Sequence, residues 1–127
     1  MLVDADDAYG DAKNVTRVVQ AYEAMGASAI FLEDQQAPKR CGHMLGKKVV
    51  PAEVHVGKIR ASAAMRHNPE TFIMARTDAL APLGLDEALR RAELSQLAQR
   101  SASGRAHGRA RREVPLTCSK SAGRGVR

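Results

Sequence analysis

Short apolar runs alternate with longer amphipathic stretches along the chain, and the alternation predicts three strands and three helices. Met1-Leu2-Val3 is a brief apolar run ending in Asp4-Ala5-Asp6. A polar turn through Gly10 and Asp11 follows, with Asp11 or Asn14 placed to cap a helix. Val15, Val18, Val19, Tyr22 and Met25 then recur at helical spacing, and Gly26 marks the stop. Ala27-Ser28-Ala29-Ile30-Phe31-Leu32 reads as a buried strand ending at Glu33-Asp34. A long loop runs from Gln35 to about Val50. Pro51 suits the first turn of a second helix, carried to about Met65 by Val54, Lys58, Ile59 and Ala63. Thr71-Phe72-Ile73-Met74-Ala75 forms a third strand, ending at Arg76-Thr77-Asp78. The last helix starts near Leu85-Asp86-Glu87 with Leu85, Ala88, Leu89 and Ala92 on one face.

The order β-α-β-α-β-α implies an α/β fold with a parallel sheet covered by helices. In each unit the chemically capable residues lie just past the strand, where barrels and open α/β sheets place their active sites. Three strands do not close a barrel, which takes eight units and typically ~250 residues.

Composition narrows the class. The chain has 127 residues, 44% hydrophobic and 27% charged, enough for one small globular domain. With aromatics at only 3%, the core must rest on Val, Leu, Ile, Met and Ala. No apolar run approaches the ~20 residues of a membrane span, and the N-terminus lacks the basic and apolar regions of a signal peptide. Cys41 and Cys118 are too few for a disulfide scaffold, so a reducing, cytoplasmic setting is expected.

The formal charge of +6 is unevenly spread. Residues 1–97 hold 12 Lys and Arg against 13 Asp and Glu, whereas residues 98–127 hold 8 against Glu113 alone. The chain therefore divides into a mixed-charge globular part, 1–97, and a basic segment, 98–127. That segment is rich in Arg, Ser, Gly and Ala and without hydrophobic periodicity, so it is expected to be disordered. A nonspecific nucleic-acid tail, a solvated tail without function, and an out-of-frame reading of GC-rich DNA all produce such a sequence. The absence of aromatics removes base stacking and argues against nucleic acid.

Asp4 and Asp6 stand two apart at a strand end and project to the same side. Such carboxylates are hard oxygen ligands suited to Mg²⁺, although an acidic, solvated turn has the same composition. Glu33 at the end of the next strand, ~4.8 Å away, would reach the same ion or its waters. Cys41 lies beside Lys39, Arg40 and His43, whose positive charge favours the thiolate. His43 on its own reads equally as a surface residue. Arg76 is able to grip a carboxylate in bidentate fashion, or to pair with Asp78. From spacing alone, this set describes a metal-assisted lyase or hydrolase acting on a di- or tricarboxylate.

Lys39-Arg40-Cys41-Gly42-His43-Met44 resembles the signature of the isocitrate lyase/phosphoenolpyruvate mutase superfamily. Val3-Asp4-Ala5-Asp6 with Tyr9-Gly10, Leu32-Glu33-Asp34-Gln35 and Ala75-Arg76-Thr77-Asp78-Ala79 extend the likeness over residues 1 to about 93. The Lys-Arg form of the cysteine motif and the short gap before it resemble 2-methylisocitrate lyases more than the larger isocitrate lyases. The resemblance implies a segment, roughly the third to fifth strands, of a (β/α)₈ barrel that usually assembles as a homotetramer. It implies cleavage of a C–C bond in a 2-hydroxy tricarboxylate, giving pyruvate and succinate from 2-methylisocitrate, as in propionate catabolism. By the same resemblance Asp4 and Asp6 would hold Mg²⁺ with Glu33 in support, and Cys41 would protonate the succinate carbanion. Lys39 and His43 would position a mobile loop over the substrate, and Arg40, Gly42 and Arg76 would bind substrate. One departure stands out: Ala8 occupies a family glycine position in the turn beside the metal ligands. The earlier and later barrel strands are also missing, so the isolated chain is expected to be inactive, with exposed sheet edges.

Overall fold

The three apolar runs become neighbouring parallel strands. In the computed structural model, which describes residues 1–40, 46–103 and 117–118, β1 (Leu2–Asp4), β2 (Ala29–Glu33) and β3 (Phe72–Thr77) lie side by side in chain order. Each pair is joined by a helical crossover, α1 (Ala12–Ala24) and α2 (Ala52–Met65). A one-turn helix, α3 (Leu80–Leu83), leads into α4 (Leu85–Ser103). A two-residue strand, β4 (Thr117–Cys118), pairs parallel with β3 opposite Arg76 and Thr77. Among the described residues, no helix is long and apolar enough to cross a membrane.

The strands run slightly further than their apolar residues suggest. β1, β2 and β3 take in Asp4, Glu33 and Arg76, which the sequence places just past the strand ends. The ladder sets Asp4 opposite Phe31 and Glu33 opposite Arg76. Polar groups are thereby fixed on one rim by backbone pairing.

Asp11 caps α1 as expected, its Oδ1 accepting the amides of Lys13 at 2.9 Å and Asn14 at 3.2 Å. Val15 and Val19 turn inward to meet Ile30, Leu32, Ile59 and Ile73, which form the core with small alanines. Met25, by contrast, is exposed.

The inner faces of α2 and α4 depart from the apolar pattern. On α2 the buried side chains include His55, Lys58 and Ser62, while Val54 faces water. On α4, Leu85 and Leu89 are 56% and 53% exposed, and Ala88, Arg91, Ser95, Ala98, Gln99 and Ala102 are buried instead. Small residues let α4 approach α2 closely, and the longer Arg91 and Gln99 reach hydrogen-bond partners inside. Gln99 Nε2 donates to the Ile73 carbonyl at 3.1 Å. These contacts run across residue 98. Residues 98–103 continue α4, because Ala98 and Ala102 repeat at a four-residue interval on its inner face. The two residues of β4 likewise lie in the segment expected to be disordered.

The turn between β1 and α1 has an uncommon course. Asp6, Ala8 and Tyr9 all have positive φ, at 50°, 64° and 57°. Ala8 is fully buried there. A left-handed conformation costs a residue with a Cβ roughly 1–2 kcal/mol, so alanine replaces the resemblance's glycine at an energetic cost.

Candidate active site

The rim is built from the ends of three strands and the loops that leave them. Asp4 closes β1 and turns its Oδ1 to the amide of Asp6 at 2.9 Å. The Asp6 carbonyl accepts the Glu33 amide at 2.8 Å, which ties the β1 turn to the end of β2. The Asp6 and Glu33 side chains share one cation, the Lys39 ammonium: Lys39 Nζ is paired closely with Asp6 Oδ1 and lies 3.2 Å from Glu33 Oε1.

Electrostatics follow from this sharing. The Glu33 side chain is 1% exposed, and burial pushes its carboxyl above the ordinary range against the pull of Lys39. Burial disfavours the Lys39 ammonium too, but its hydrogen bonds to Asp6 and Glu33 prevail and hold it above the usual lysine range. Tyr9, beside them, has its phenol raised well above the usual range by the neighbouring Tyr22 hydroxyl, with smaller contributions from burial and Asp6. A cavity of about 190 Å³ opens here, lined by Asp6, Asp7, Tyr9, Glu33, Gln35, Ala37 and Lys39.

Arg76 projects from β3 beside this cavity. Its Nη2 lies 3.1 Å from Asp78 Oδ1, so the expected ion pair forms. Its Nε, 3.9 Å from Glu33 Oε2, is buried and makes no hydrogen bond to the described residues. The guanidinium carbon stands 5.6 Å from the centre of the Phe31 ring. Pairing with Asp78 thus orients the guanidinium and leaves Nε available for an anionic ligand.

A second tier of buried polar groups fixes the rim. Asp78 Oδ1 also receives Lys47 Nζ at 3.1 Å, and its Oδ2 accepts from Gln35 Nε2 at 3.0 Å. Gln35 Oε1 accepts the Arg40 amide at 3.0 Å, drawing the departing loop toward the strand ends. Asp34 accepts from the Asp78 amide at 2.8 Å, Thr77 Oγ1 at 2.7 Å and Arg91 Nη1 at 3.1 Å. Asp34, Gln35, Thr77 and Asp78 stand within the motifs that carry the resemblance, but apart from the Arg76–Asp78 pair their partners are not evident from spacing. Asp34 and Asp78 each follow a candidate residue closely, a usable signal, whereas nothing local marks Lys47 or Arg91.

Asp4, Asp6, Glu33, Lys39 and Arg76 therefore gather on one rim, with Arg40 held at its edge by its backbone. Cys41, Gly42 and His43 lie outside the described residues. Among the described residues, no three His, Cys, Asp or Glu side chains converge as a ready metal cluster. The donor chemistry nevertheless suits Mg²⁺, which takes one or two carboxylates and keeps several waters. Asp6 and Glu33 already share a cation beside a cavity able to hold water.

Known proteins carry the same elements. The profile described as phosphoenolpyruvate phosphomutase matches residues 1–98. A 2,3-dimethylmalate lyase from Eubacterium barkeri is 52% identical over 91 residues, 72% of this chain and 32% of that protein. A 2-methylisocitrate lyase from Vibrio cholerae is 48% identical over 92 residues, covering 72% of this chain and 30% of its own. A crystal structure of phosphonopyruvate hydrolase in complex with oxalate and Mg²⁺ superposes with a TM-score of 0.71 at 33% identity, covering 92% of this chain and 44% of that one. The chain spans about a third of the length of these two lyases.

Proposed function

The chain belongs to the phosphoenolpyruvate phosphomutase family, and from that premise we propose that its rim serves Mg²⁺-dependent carbon–carbon cleavage of a 2-hydroxy carboxylate. The substrate that fits the reading is 2-methylisocitrate or a close relative, with pyruvate and succinate as products in a complete, homotetrameric cytoplasmic barrel. The observation that carries this reading is the Arg76 Nε, buried beside Glu33 and without a hydrogen bond to the described residues, on the rim that also holds Asp4, Asp6 and Lys39. A carboxylate of the substrate supplies the acceptor that this nitrogen lacks.

Each side chain has a distinct task. Asp4 and Asp6 would hold the metal, with Glu33 in support, while Arg76, oriented by Asp78, would grip the carboxylate. Bound there, Mg²⁺ would supply Lewis acidity to offset negative charge on the oxo-acid half. Lys39 neutralises Asp6 and Glu33 and keeps the two carboxylates in register. The substrate 2-hydroxyl gives its proton to a carboxylate of the rim and its oxygen forms the C=O of pyruvate; the C–C bond breaks with its electron pair passing to the succinate half, and Cys41 protonates that carbon as general acid. Arg40, Gly42 and His43 assist binding and loop position, and the resulting exclusion of water protects the carbanion.

A second reading within the family is hydrolysis or phosphoryl migration of a phosphonate. The structural likeness to phosphonopyruvate hydrolase favours it, because the same rim would bind the pyruvate portion of either substrate.

Binding of oxalate, a planar dianion shaped like the enolate of pyruvate, separates the metal-and-arginine site from a merely acidic turn. Calorimetry on the 127-residue chain is expected to show oxalate binding that requires Mg²⁺ and is lost in Arg76→Ala. Binding independent of both, or none, would overturn the assignment. Pyruvate release from 2-methylisocitrate is expected to be absent from this chain alone. Turnover matching that of a full-length lyase would refute that part.

A further inference from the structure

Lys58 belongs to α2, yet its ammonium acts on the turn that follows β1. The side chain is 7% exposed and donates to the Asp7 carbonyl at 2.7 Å, with Asp7 Oδ2 at 3.6 Å. A buried ammonium is tolerated only where oxygens replace its lost water. Here those oxygens belong to the segment in which Asp6, Ala8 and Tyr9 all take left-handed backbone conformations. The same segment carries the Ala8 amide to the Ala5 carbonyl at 2.7 Å and presents the Asp6 carbonyl to Glu33 at 2.8 Å. An alanine at φ 64° favours unwinding of this turn, and the charge-assisted bond from α2 opposes it.

We propose that Lys58 is a positioning residue. By anchoring the Asp7 carbonyl it holds the β1–α1 turn in its left-handed course and keeps Asp6 in register with Glu33. Its structural half stands on geometry alone. Its functional half, that divalent cations bind well only with Lys58 in place, rests on the reading of Asp4 and Asp6 as metal ligands.

Amide hydrogen exchange and Mn²⁺ binding on the full chain test the two halves separately. In Lys58→Met, exchange at the Ala8 and Glu33 amides is expected to accelerate about tenfold or more, while Val19 in α1 and Ile73 in β3 stay as in the wild type. Mn²⁺ affinity is expected to fall alongside. Lys58→Arg should recover most of both effects, and Ala8→Gly in the Lys58→Met background should recover part of the protection. A general core role would not respond to that glycine selectively at the turn. Unchanged turn amides, or loss of protection in step with the whole chain, would overturn the proposal. Wild-type protein that does not bind Mn²⁺ would sink the metal reading and the functional half, leaving the exchange data to decide the structural half. Should Lys58→Met fail to fold, refolding on adding Ala8→Gly supports the assignment and continued failure overturns it.

Discussion

Arg91 on α4 and Asp34 at the end of β2 are 57 residues apart in sequence and 3.1 Å apart in space. Both side chains are almost wholly removed from water. The same guanidinium nitrogen donates to the Val50 carbonyl at 2.7 Å, and Arg91 Nε is held by Glu87 at 2.8 Å. One side chain thus fastens the outer helix to a strand end and to the segment entering α2.

Arg91→Met would leave the Asp34 carboxylate buried without its cation. Loss of one partner of a buried pair costs about 3–5 kcal/mol, and urea unfolding of this variant should show a loss of that order. Replacing Asp34 and Arg91 together by apolar residues should cost less than the sum of the single changes.

Ala8→Gly should raise stability. It relieves roughly 1–2 kcal/mol of left-handed strain and gives back part of that through the greater freedom of glycine in the unfolded chain. The net gain expected is about 0.5–1 kcal/mol, read from the urea midpoint at unchanged slope. A loss would show that the buried Ala8 methyl contributes more to packing than its backbone costs.

His55 should make the protein acid-sensitive. Neither ring nitrogen finds a hydrogen bond among the described residues, and burial pushes the imidazole down to about 4, with Lys58 and Arg91 adding to the effect and Asp34 opposing it. From about pH 6.5 downward the unfolded chain binds a proton that the native chain refuses, so stability falls until about pH 4. The full effect is on the order of 3 kcal/mol. His55→Met should flatten this dependence and stabilise the neutral protein by about 1–2 kcal/mol, since no buried nitrogen is then left unsatisfied.

Glu33 acts in the opposite sense. Burial raises its native value above the ordinary one near 4.5, so within that window the native state holds more protons and stability declines as pH rises. Glu33→Gln should therefore raise the melting temperature at neutral pH. It leaves Lys39 with Asp6 and Arg76 with Asp78, so neither cation loses its last partner. Mg²⁺ affinity should drop about tenfold or more, a stability gain at the expense of the site.

The strands and the placement of their polar ends were legible because period and position carry them. An apolar run ending in Asp, Glu or Arg is visible locally, and parallel order places the three ends together. The faces of α2 and α4 were not legible. Leu85, Leu89 and Val54 drew the expected helix faces toward themselves, while the structure buries Arg91, Gln99, His55 and Lys58. Arg91, Gln99 and Lys58 are inside because of partners 26 to 57 residues away, such as Ile73, Asp34 and Asp7, which helical periodicity does not reveal. The Lys39 bridge between Asp6 and Glu33 was hidden for the same reason.

Asp78 receives Lys47, Arg76 and Gln35 on a single carboxylate. Substitutions at any two of these three positions should then show epistasis, each altering what the other is worth by an interaction energy of about 0.5–3 kcal/mol. Repositioning the arginine guanidinium would therefore call for the lysine and the glutamine to be exchanged in concert with it.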